Sequence, residues 1–277
     1  MFTADYISDI HSNVYLNRTF SIVEELIEHI WADHTDADVL FLNGDIAETS
    51  EDIIEFLECV SRMRKYKKIY YVPGNHDLYS EGYRTDRLED KYAILKELVN
   101  KIDNVIFLDG QIVEYEGVKI SGLSMWYSTA YLASRYPHMS EVQIKSGFMK
   151  LWREYMLDSR RTISDPLEFF ESQRVKFSKV YLEAEVFISH INPVPMDSYF
   201  CEKFRFQDSN TFFSWNGLPY LENTSIRHYF FGHTHEPLED QIFDTLLHCN
   251  PLAYPGELPF DRKLIQTVSI ESSCSKE

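Results

Sequence analysis

Cysteine is scarce in this 277-residue sequence, and its positions exclude two classes of protein. The four thiols, Cys59, Cys201, Cys249 and Cys274, are far apart and show no Cys-x-x-Cys spacing. Closely spaced cysteines are typical of zinc ribbons, and dense cysteines are typical of small secreted domains. We therefore expect four reduced thiols and a cytoplasmic location.

Long apolar runs are also missing. No stretch approaches the roughly 20 apolar residues that span a bilayer. The opening MFTADYISDIHSN has no positively charged segment followed by an apolar one, as a secretion signal would. The sequence thus predicts a protein that neither spans a membrane nor is exported.

Basic residues are outnumbered, since 27 Lys and Arg stand against 44 Asp and Glu and give a formal net charge of −17. Proteins that coat nucleic acid need clustered Lys and Arg to neutralise phosphates. The charge balance therefore disfavours nucleic acid as a partner, although a local basic groove stays possible.

The composition is otherwise that of a fully folded chain, with 44% hydrophobic and 26% charged residues. We interpret residues 1–277 as a single domain. The aromatic content of 15% indicates either an aromatic core or a lined ligand groove.

Strand and helix patterns alternate in the first part of the chain. The apolar runs FTADYIS, DVLFLN and KKIYYVP are each followed by an amphipathic helical pattern, at 23–31, 53–60 and 88–102. This alternation is typical of an α/β sheet built from crossover units. From residue 105, short extended runs joined by Asp-Gly and Glu-Gly predict a second sheet with more hairpins.

Residues 124–181 interrupt the second pattern with an aromatic, helical segment that we interpret as a cap insertion and as the best candidate for the substrate wall. Arginine can bind phosphate oxygens through two parallel hydrogen bonds, but on a helix it often faces solvent. The arginines of this segment are Arg135, Arg153, Arg160, Arg161 and Arg174. Later, YFCEKFRFQ and Trp215 either stack a base or pack in the core, and PLAYPGELP is interpreted as a surface loop.

Five polar clusters each follow an apolar, strand-like run. In open α/β sheets, ligands bind at the carboxyl ends of strands, where residues distant in sequence converge. A mixed set of Asp, Asn and His suits Mn, Fe, Zn, Co or Ni better than calcium. We predict two divalent metal ions, with Asp45 as the bridging ligand. The predicted ligands are Asp9, His11, Asp45, Asn75, His190, His233 and His235.

Each cluster also has an ordinary structural explanation when taken alone. Asp-x-His is common in solvated loops, Gly-Asp is a frequent turn, Asn-His-Asp can cap a helix, and a lone histidine is usually hydrogen-bonded. The order of all five clusters at strand ends favours the metal site. Histidines without partner motifs are interpreted as structural or surface residues, and His138 is a candidate for approaching the substrate. The histidines interpreted as structural or surface residues are His29, His34, His228 and His248.

The motif order Asp-x-His, Gly-Asp, Gly-Asn-His-Asp, His and Gly-His-x-His resembles that of the calcineurin-like metallophosphoesterase superfamily, from Asp9 to His235. The resemblance implies a four-layer α/β/β/α sandwich with the metals at one edge of the central sheets. It implies that one ion is bound by Asp9, His11, Asp45 and His235, and the other by Asp45, Asn75, His190 and His233. It further implies that His76 acts as general acid or stabilises transition-state charge, with Asp77 orienting it.

Two metal ions roughly 3.5–4 Å apart can generate a bridging hydroxide and hold a phosphoryl group for in-line attack. Within the superfamily, the lack of Asp-Arg-Gly after Gly-Asp disfavours protein phosphatases. Purple acid phosphatases are disfavoured because Glu48 stands where they have a metal-binding Tyr. Lipid A pathway pyrophosphatases have Arg at the position of His76, so they are disfavoured too. We therefore predict hydrolysis of a phosphodiester or phosphomonoester of a small molecule or nucleotide. The alternatives are a non-catalytic scaffold that binds protein partners, and a nuclease.

Overall fold

The computed structural model describes residues 1–33, 35–81, 85–259 and 262–272, so His34 and Cys274 lie outside the described residues. Within these ranges the strands are β1 (Phe2–Ile7), β2 (Val39–Leu42), β3 (Lys68–Tyr71), β4 (Val105–Phe107), β5 (Val113–Tyr115), β6 (Val118–Leu123), β7 (Val186–Ser189), β8 (His228–Phe231), β9 (Leu238–Ile242), β10 (Thr245–Cys249) and β11 (Gln266–Ile270). The α-helices are α1 (Ser12–Leu16), α2 (Val23–Ile30), α3 (Ser50–Met63), α4 (Leu88–Val99), α5 (Ala130–Arg135), α6 (Glu141–Tyr155), α7 (Pro166–Phe177) and α8 (Leu218–Leu221).

The first sheet has the strand order β11-β1-β2-β3-β4. Strands β1 to β4 run parallel, and β11 closes the sheet antiparallel to β1. Helices α1 to α4 make the crossovers between the parallel strands. The helical pattern at 23–31 becomes α2, which buries Val23, Leu26, Ile27 and Ile30 on one face. The Thr49 side chain begins α3 by accepting the backbone N–H of Asp52.

The second sheet has the order β5-β6-β7-β8-β10-β9. Its central strands β6, β7, β8 and β10 are parallel, whereas β5 and β9 form antiparallel edges. The run QIFDTLLHCN, predicted only as extended, forms the hairpin turn from β9 into β10, with Phe243 in the left-handed region at φ 53°.

The two sheets pack face to face. Phe230 of β8 lies between Tyr6 and Phe41 of the first sheet, with ring centroids 5.1 Å and 4.8 Å away. Helices cover the outer faces; on the second sheet, Phe177 of α7 contacts Phe187 of β7 at 4.8 Å. The predicted α/β/β/α sandwich is confirmed.

Residues 124–181 contain α5, α6 and α7 and connect the parallel strands β6 and β7. Helix α6 begins with a capping box between Ser140 and Gln143. Helix α7 begins at Pro166, and the preceding Asp165 accepts the backbone N–H groups of the first turn. Since α7 packs on the sheet, part of this segment is the outer helical layer. Its role as a cap, like the single-domain boundary, stays a prediction.

The short helix α1 follows His11 directly and is not predicted by the sequence, because five residues are too few to show a helical period. No helix within the described ranges combines the length and apolar character required to cross a bilayer.

Candidate metal centre

All seven predicted ligands follow the carboxyl ends of strands. Asp9, Asp45 and Asn75 come after β1, β2 and β3, which are neighbours in the first sheet, and His190 and His233 come after the neighbouring strands β7 and β8. Because the two sheets pack face to face, these ends meet at one edge of the sandwich. The structure thus brings together residues more than 220 positions apart, as in the hydrogen bond from the His233 N–H to Asp9.

Backbone hydrogen bonds join the ligand loops to one another. The Asp9 N–H donates to the carbonyl of Gly44 at 3.0 Å, and the His11 N–H donates to the carbonyl of Asp45 at 3.0 Å. Gly74 allows the closest approach, since a Cβ at this position would lie 2.1 Å from Oδ1 of Asp45. The loops are therefore held together by main chain, with no space for a side chain at Gly74.

Five of the candidate ligands have a left-handed backbone, which non-glycine residues rarely adopt. The φ angles are 52° at Asp9, 46° at His11, 57° at Asp45, 68° at His233 and 52° at His235. Such a conformation costs on the order of 1 kcal/mol or more for each residue and concentrates at functional sites. The strain directs side chains from both sheets toward a common point.

The Asp45 carboxylate lies at the centre of the cluster. Its Oδ1 accepts the backbone N–H of His76 at 2.8 Å. Its Oδ2 lies 3.3 Å from Nε2 of His190 and 4.0 Å from Nε2 of His11. Because His11 and His190 belong to different halves of the cluster, Asp45 has the position of a bridging ligand.

Three groups of donor atoms among the described residues each lie close enough together to hold one ion, and one of them, His11, Asp45 and His76, overlaps the other two. The ligand atoms of Asp9, His11 and His235 lie within 4.8 Å of one another, and so do those of Asp45, His190 and His233. Asn75 belongs with the second set, since its Oδ1 is 3.1 Å from Nε2 of His190. These two sets match the predicted division of ligands.

Hydrogen bonds orient three of the imidazoles. Nδ1 of His190 lies 2.7 Å from the carbonyl of Asn43, and Nε2 of His233 lies 2.9 Å from the carbonyl of Phe212. A carbonyl oxygen only accepts, so these ring nitrogens carry the proton and the opposite nitrogens keep a lone pair. Nδ1 of His235 is likewise bonded to Glu257 at 2.7 Å, which leaves Nε2 facing Asp9. Metal-binding imidazoles are typically held in this way.

The protonation states also suit cations. Burial alone would raise the pKa of the Asp45 carboxyl, but the neighbouring His190, His76 and His11 outweigh it and hold that pKa well below its usual range. Burial lowers the pKa of His11 and of His233 to about 3, so both rings are neutral donors. At His190 and His235 the neighbouring carboxylates outweigh burial and raise the pKa to about 9 and about 10, so these two rings carry a proton that a cation would displace. Carboxylates and imidazoles gathered at buried positions form the donor set that borderline divalent ions prefer.

His76 lies at the margin of this cluster, between the candidate ligands and a cavity of about 570 Å³. Its Nδ1 is 3.4 Å from Oε1 of Glu48, and its Nε2 is 3.4 Å from the hydroxyl of Tyr254. Arg161 donates to the other Glu48 oxygen at 2.7 Å. Nδ1 of His76 therefore lies beside the Glu48 carboxylate without a hydrogen bond to it, and Nε2 faces Tyr254.

Comparisons with known proteins agree with this geometry. The family model described as calcineurin-like phosphoesterase matches residues 3–237. The chain belongs to this family. The calcineurin-like phosphoesterases are metal-dependent hydrolases, and the predicted resemblance is confirmed.

Two similar proteins span nearly the whole chain. An uncharacterised protein of Acanthamoeba polyphaga mimivirus, L509, is 23% identical over 266 residues, with 91% of each chain covered. The crystal structure of phosphopantetheinyl hydrolase from Mycobacterium tuberculosis has a TM-score of 0.68 at 16% identity, with 96% of this chain and 95% of that chain covered. The crystal structure shares the fold with this phosphoesterase chain.

One predicted role in this phosphoesterase site is wrong, namely that Asp77 orients His76. The Asp77 carboxylate accepts four backbone N–H groups, at 2.8 to 3.1 Å. The donors are Gly74, Asp45, Ile46 and Ala47. Asp77 therefore braces the two ligand loops, and Glu48 is the carboxylate beside His76. An acidic residue three positions after Gly-Asp was the available sequence signal for Glu48.

The wall of the cavity differs from the predicted one. Of residues 124–181, only Met156, Leu157 and Asp158 line it; the described part of the wall is otherwise formed largely by the 200–213 segment and the 254–258 loop. Phe200 and Phe204 of the predicted aromatic run line the cavity, whereas Trp215 is fully buried. The run PLAYPGELP, predicted as a surface loop, contributes Tyr254 and its neighbours to the wall.

The predicted arginines are engaged elsewhere or face solvent. Arg135 pairs with Asp208, Arg174 pairs with Glu171, and Arg153 and Arg160 are exposed. His138 is exposed and is not among the described cavity residues. His228 and His248 stack on each other at 5.3 Å, and His29 packs on Phe20, in agreement with structural roles.

Proposed function

We propose that this protein hydrolyses a phosphodiester or phosphomonoester of a small molecule or nucleotide, with two divalent metal ions bound at the cluster. The observation that carries the proposal is the convergence of seven donor side chains from five strand ends on one cavity, with His76 at its margin. The proposed ligands are Asp9, His11, Asp45, Asn75, His190, His233 and His235.

Two bound ions of the Mn, Fe, Zn, Co or Ni type would supply a water-derived nucleophile near neutral pH and neutralise phosphoryl charge. The protein positions the ester and manages protons. His76, with Glu48 3.4 Å from its Nδ1, lines the cavity, where Nε2 can protonate the departing alkoxide or stabilise its charge. Tyr254 lies beside the same nitrogen and limits the directions from which an ester can approach.

A small substrate is favoured over nucleic acid and over a protein partner. The cavity is about 570 Å³, a volume ordinary for small-molecule sites. Its described lining includes a single lysine, Lys203, and no arginine, and the whole chain carries a net charge of −17. A nucleic-acid backbone would meet little positive charge here. A cytoplasmic location is also part of the proposal, supported by the free thiols of Cys59, Cys201 and Cys249.

The test is metal analysis combined with kinetics. The purified protein would be measured for bound metal and for hydrolysis of p-nitrophenyl phosphate and bis-p-nitrophenyl phosphate with each divalent ion. Because the mycobacterial protein of the same fold is named a phosphopantetheinyl hydrolase, a phosphopantetheinyl ester is a further substrate to assay. We expect Asp45→Asn to lose metal and activity, and His76→Ala to keep metal while kcat falls by about 100-fold or more.

His138→Ala is the matched control, since this histidine is exposed and lies outside the described cavity lining. Its metal content and kcat should equal those of the wild type. If no ester is hydrolysed with any metal, and Asp45→Asn leaves the metal content unchanged, the non-catalytic scaffold becomes the better explanation.

A further inference from the structure

A buried carboxylate without a basic partner lies in the cavity wall. Asp158 is 2% exposed and lines the cavity together with Asp45, Asn75 and His76. It belongs to the 3-10 turn Leu157–Arg160, which follows α6. Nothing in the candidate metal cluster requires an additional acid at this place, because Asp158 is in none of the three converging groups of donor atoms among the described residues.

One oxygen of this carboxylate is occupied by the protein. The Tyr127 hydroxyl donates to Oδ1 of Asp158 at 2.9 Å. The Tyr127 ring in turn lies against His233, with centroids 5.5 Å apart. The carboxylate is thereby fixed in position relative to the candidate metal ligands.

The turn itself is anchored on the side of His76. Arg161 donates to Glu48, and its guanidinium lies over the Tyr79 ring at 4.9 Å. The Ser80 N–H donates to the carbonyl of Arg161 at 2.8 Å. Arg161, which follows the turn, is therefore engaged with Glu48, and the salt bridges among the described residues include none to Asp158.

A desolvated carboxylate without a cationic partner is unfavourable unless hydrogen-bond donors compensate it. Burial accordingly raises the pKa of Asp158, although His76 and Tyr127 oppose the rise. The remaining wall of the cavity near this turn is largely apolar or aromatic, as at Met156, Leu157 and Phe213. The backbone N–H of Asp158 itself also stabilises the charged carboxylate, and a ligand group in the cavity can supply a further donor.

We infer that Asp158 is a specificity-determining residue that accepts a hydrogen bond from a hydroxyl or N–H group on the leaving-group side of the substrate. The inference rests on the proposed function and narrows it. The substrate class is a phosphoester whose leaving group has an apolar body and carries a donor a few atoms from the ester oxygen. An ester that lacks the donor excludes water from the carboxylate without replacing its hydrogen bond, so it is selected against.

The test uses two esters that differ only in hydroxyl groups, n-propyl phosphate and glycerol 1-phosphate, each also prepared as its symmetrical diester, so that the leaving group is always the alcohol under comparison. The measured quantity is the ratio of their kcat/KM values. Since both esters react at one centre, the ratio cancels any effect of a substitution on metal content. We expect the wild type to prefer the glycerol ester by about 10-fold or more.

Two variants separate the contributions of Asp158. Asp158→Asn removes the charge, and Asp158→Leu removes both oxygens in a side chain of the same branching. We expect the preference for the glycerol ester to be reduced in the Asn variant and absent in the Leu variant. Glu154→Gln, on the exposed part of α6, is the matched control and should keep the wild-type ratio. If the Leu variant does not fold, the ratio of kcat/KM values measured for Asp158→Asn alone tests the role of Asp158.

The outcomes are distinguishable. If the wild type hydrolyses p-nitrophenyl esters but shows no preference, or if both variants keep the wild-type ratio, the role of Asp158 is wrong while the proposed function stands. If a substitution lowers kcat/KM by the same factor for both esters, Asp158 acts through His76 and does not recognise the substrate, and the inference is overturned. If the wild type hydrolyses none of the esters, the proposed function fails and the inference fails with it.

Discussion

The metal cluster and the cavity wall are built in different ways. The cluster is buried and rests on strand ends, with Asp9 and His190 0% exposed. The wall is formed mainly by loops, and its apolar side chains are partly solvated, with Phe204 42% and Leu157 48% exposed. A rigid scaffold thus holds the groups for chemistry, while loops that pack less tightly contact the variable part of the substrate.

The comparison predicts that small changes in the cluster lower activity more than the removal of whole side chains from the cavity wall does. Gly74→Ala is the most severe case, because the added Cβ would lie 2.1 Å from Oδ1 of Asp45. Displacement of a ligand loop by this clash should lower kcat/KM by about 100-fold or more and reduce bound metal. Metal analysis and steady-state kinetics would measure both effects.

Gly147→Ala is the control for Gly74. Gly147 lies inside α6 with nothing within 4 Å of an added Cβ. Alanine there should stabilise the protein by about 0.5–1 kcal/mol without changing activity. Normal metal content and activity in Gly74→Ala would show that the cluster is less rigid than we infer.

Asp77→Asn should chiefly affect stability. An amide has one oxygen for the four N–H groups that Asp77 accepts, and its own NH₂ would face donors. We expect the free energy of unfolding in urea to fall by about 3 kcal/mol, with weaker metal binding as a consequence. Asp103→Asn, at an exposed position, should change neither quantity. A pure loss of kcat with unchanged stability would instead restore the orienting role predicted from the sequence.

Glu48→Gln tests the contact between Glu48 and His76, which lies between the cluster and the cavity wall. Loss of the charge beside Nδ1 of His76 should lower kcat by about 10-fold to 100-fold, while the metal content stays normal. Glu51→Gln, an exposed acid in the first turn of α3, is the control. Unchanged kcat in the Glu48 variant would mean that His76 needs no carboxylate partner.

Phe204→Ala should have the smallest effect. Truncation removes a partly exposed ring from the cavity wall, so KM should rise by about fivefold with kcat unchanged. Phe206→Ala removes a ring that is 68% exposed and is not among the described cavity residues, and it should leave KM unaltered. A fall in kcat for the Phe204 variant would contradict the division between chemistry and substrate contact.

Most of the sandwich could be predicted from local patterns. The apolar runs that became β1, β2 and β3, and the helical periods that became α2, α3 and α4, are long enough to show their period. Helix α1 is too short for this. The segment 124–181 reads as helical, but only packing of Phe177 on Phe187 reveals that α7 is a layer of the sandwich.

The order and type of the metal donors were determined by the sequence alone. Parallel strands place their carboxyl ends at one edge of a sheet, so Asp9 and Asp45 had to converge once the strands were identified, whereas His190 joins them only because the two sheets pack face to face. The partner of His76 was decided only by the tertiary structure. Asp77 is adjacent in sequence, yet it turns toward four backbone N–H groups, because a buried carboxylate is stabilised where donors converge, and Glu48 takes the place beside the imidazole. The position of Asp158 in the cavity depends on a loop anchored across the molecule, and such contacts leave no periodic trace in the sequence.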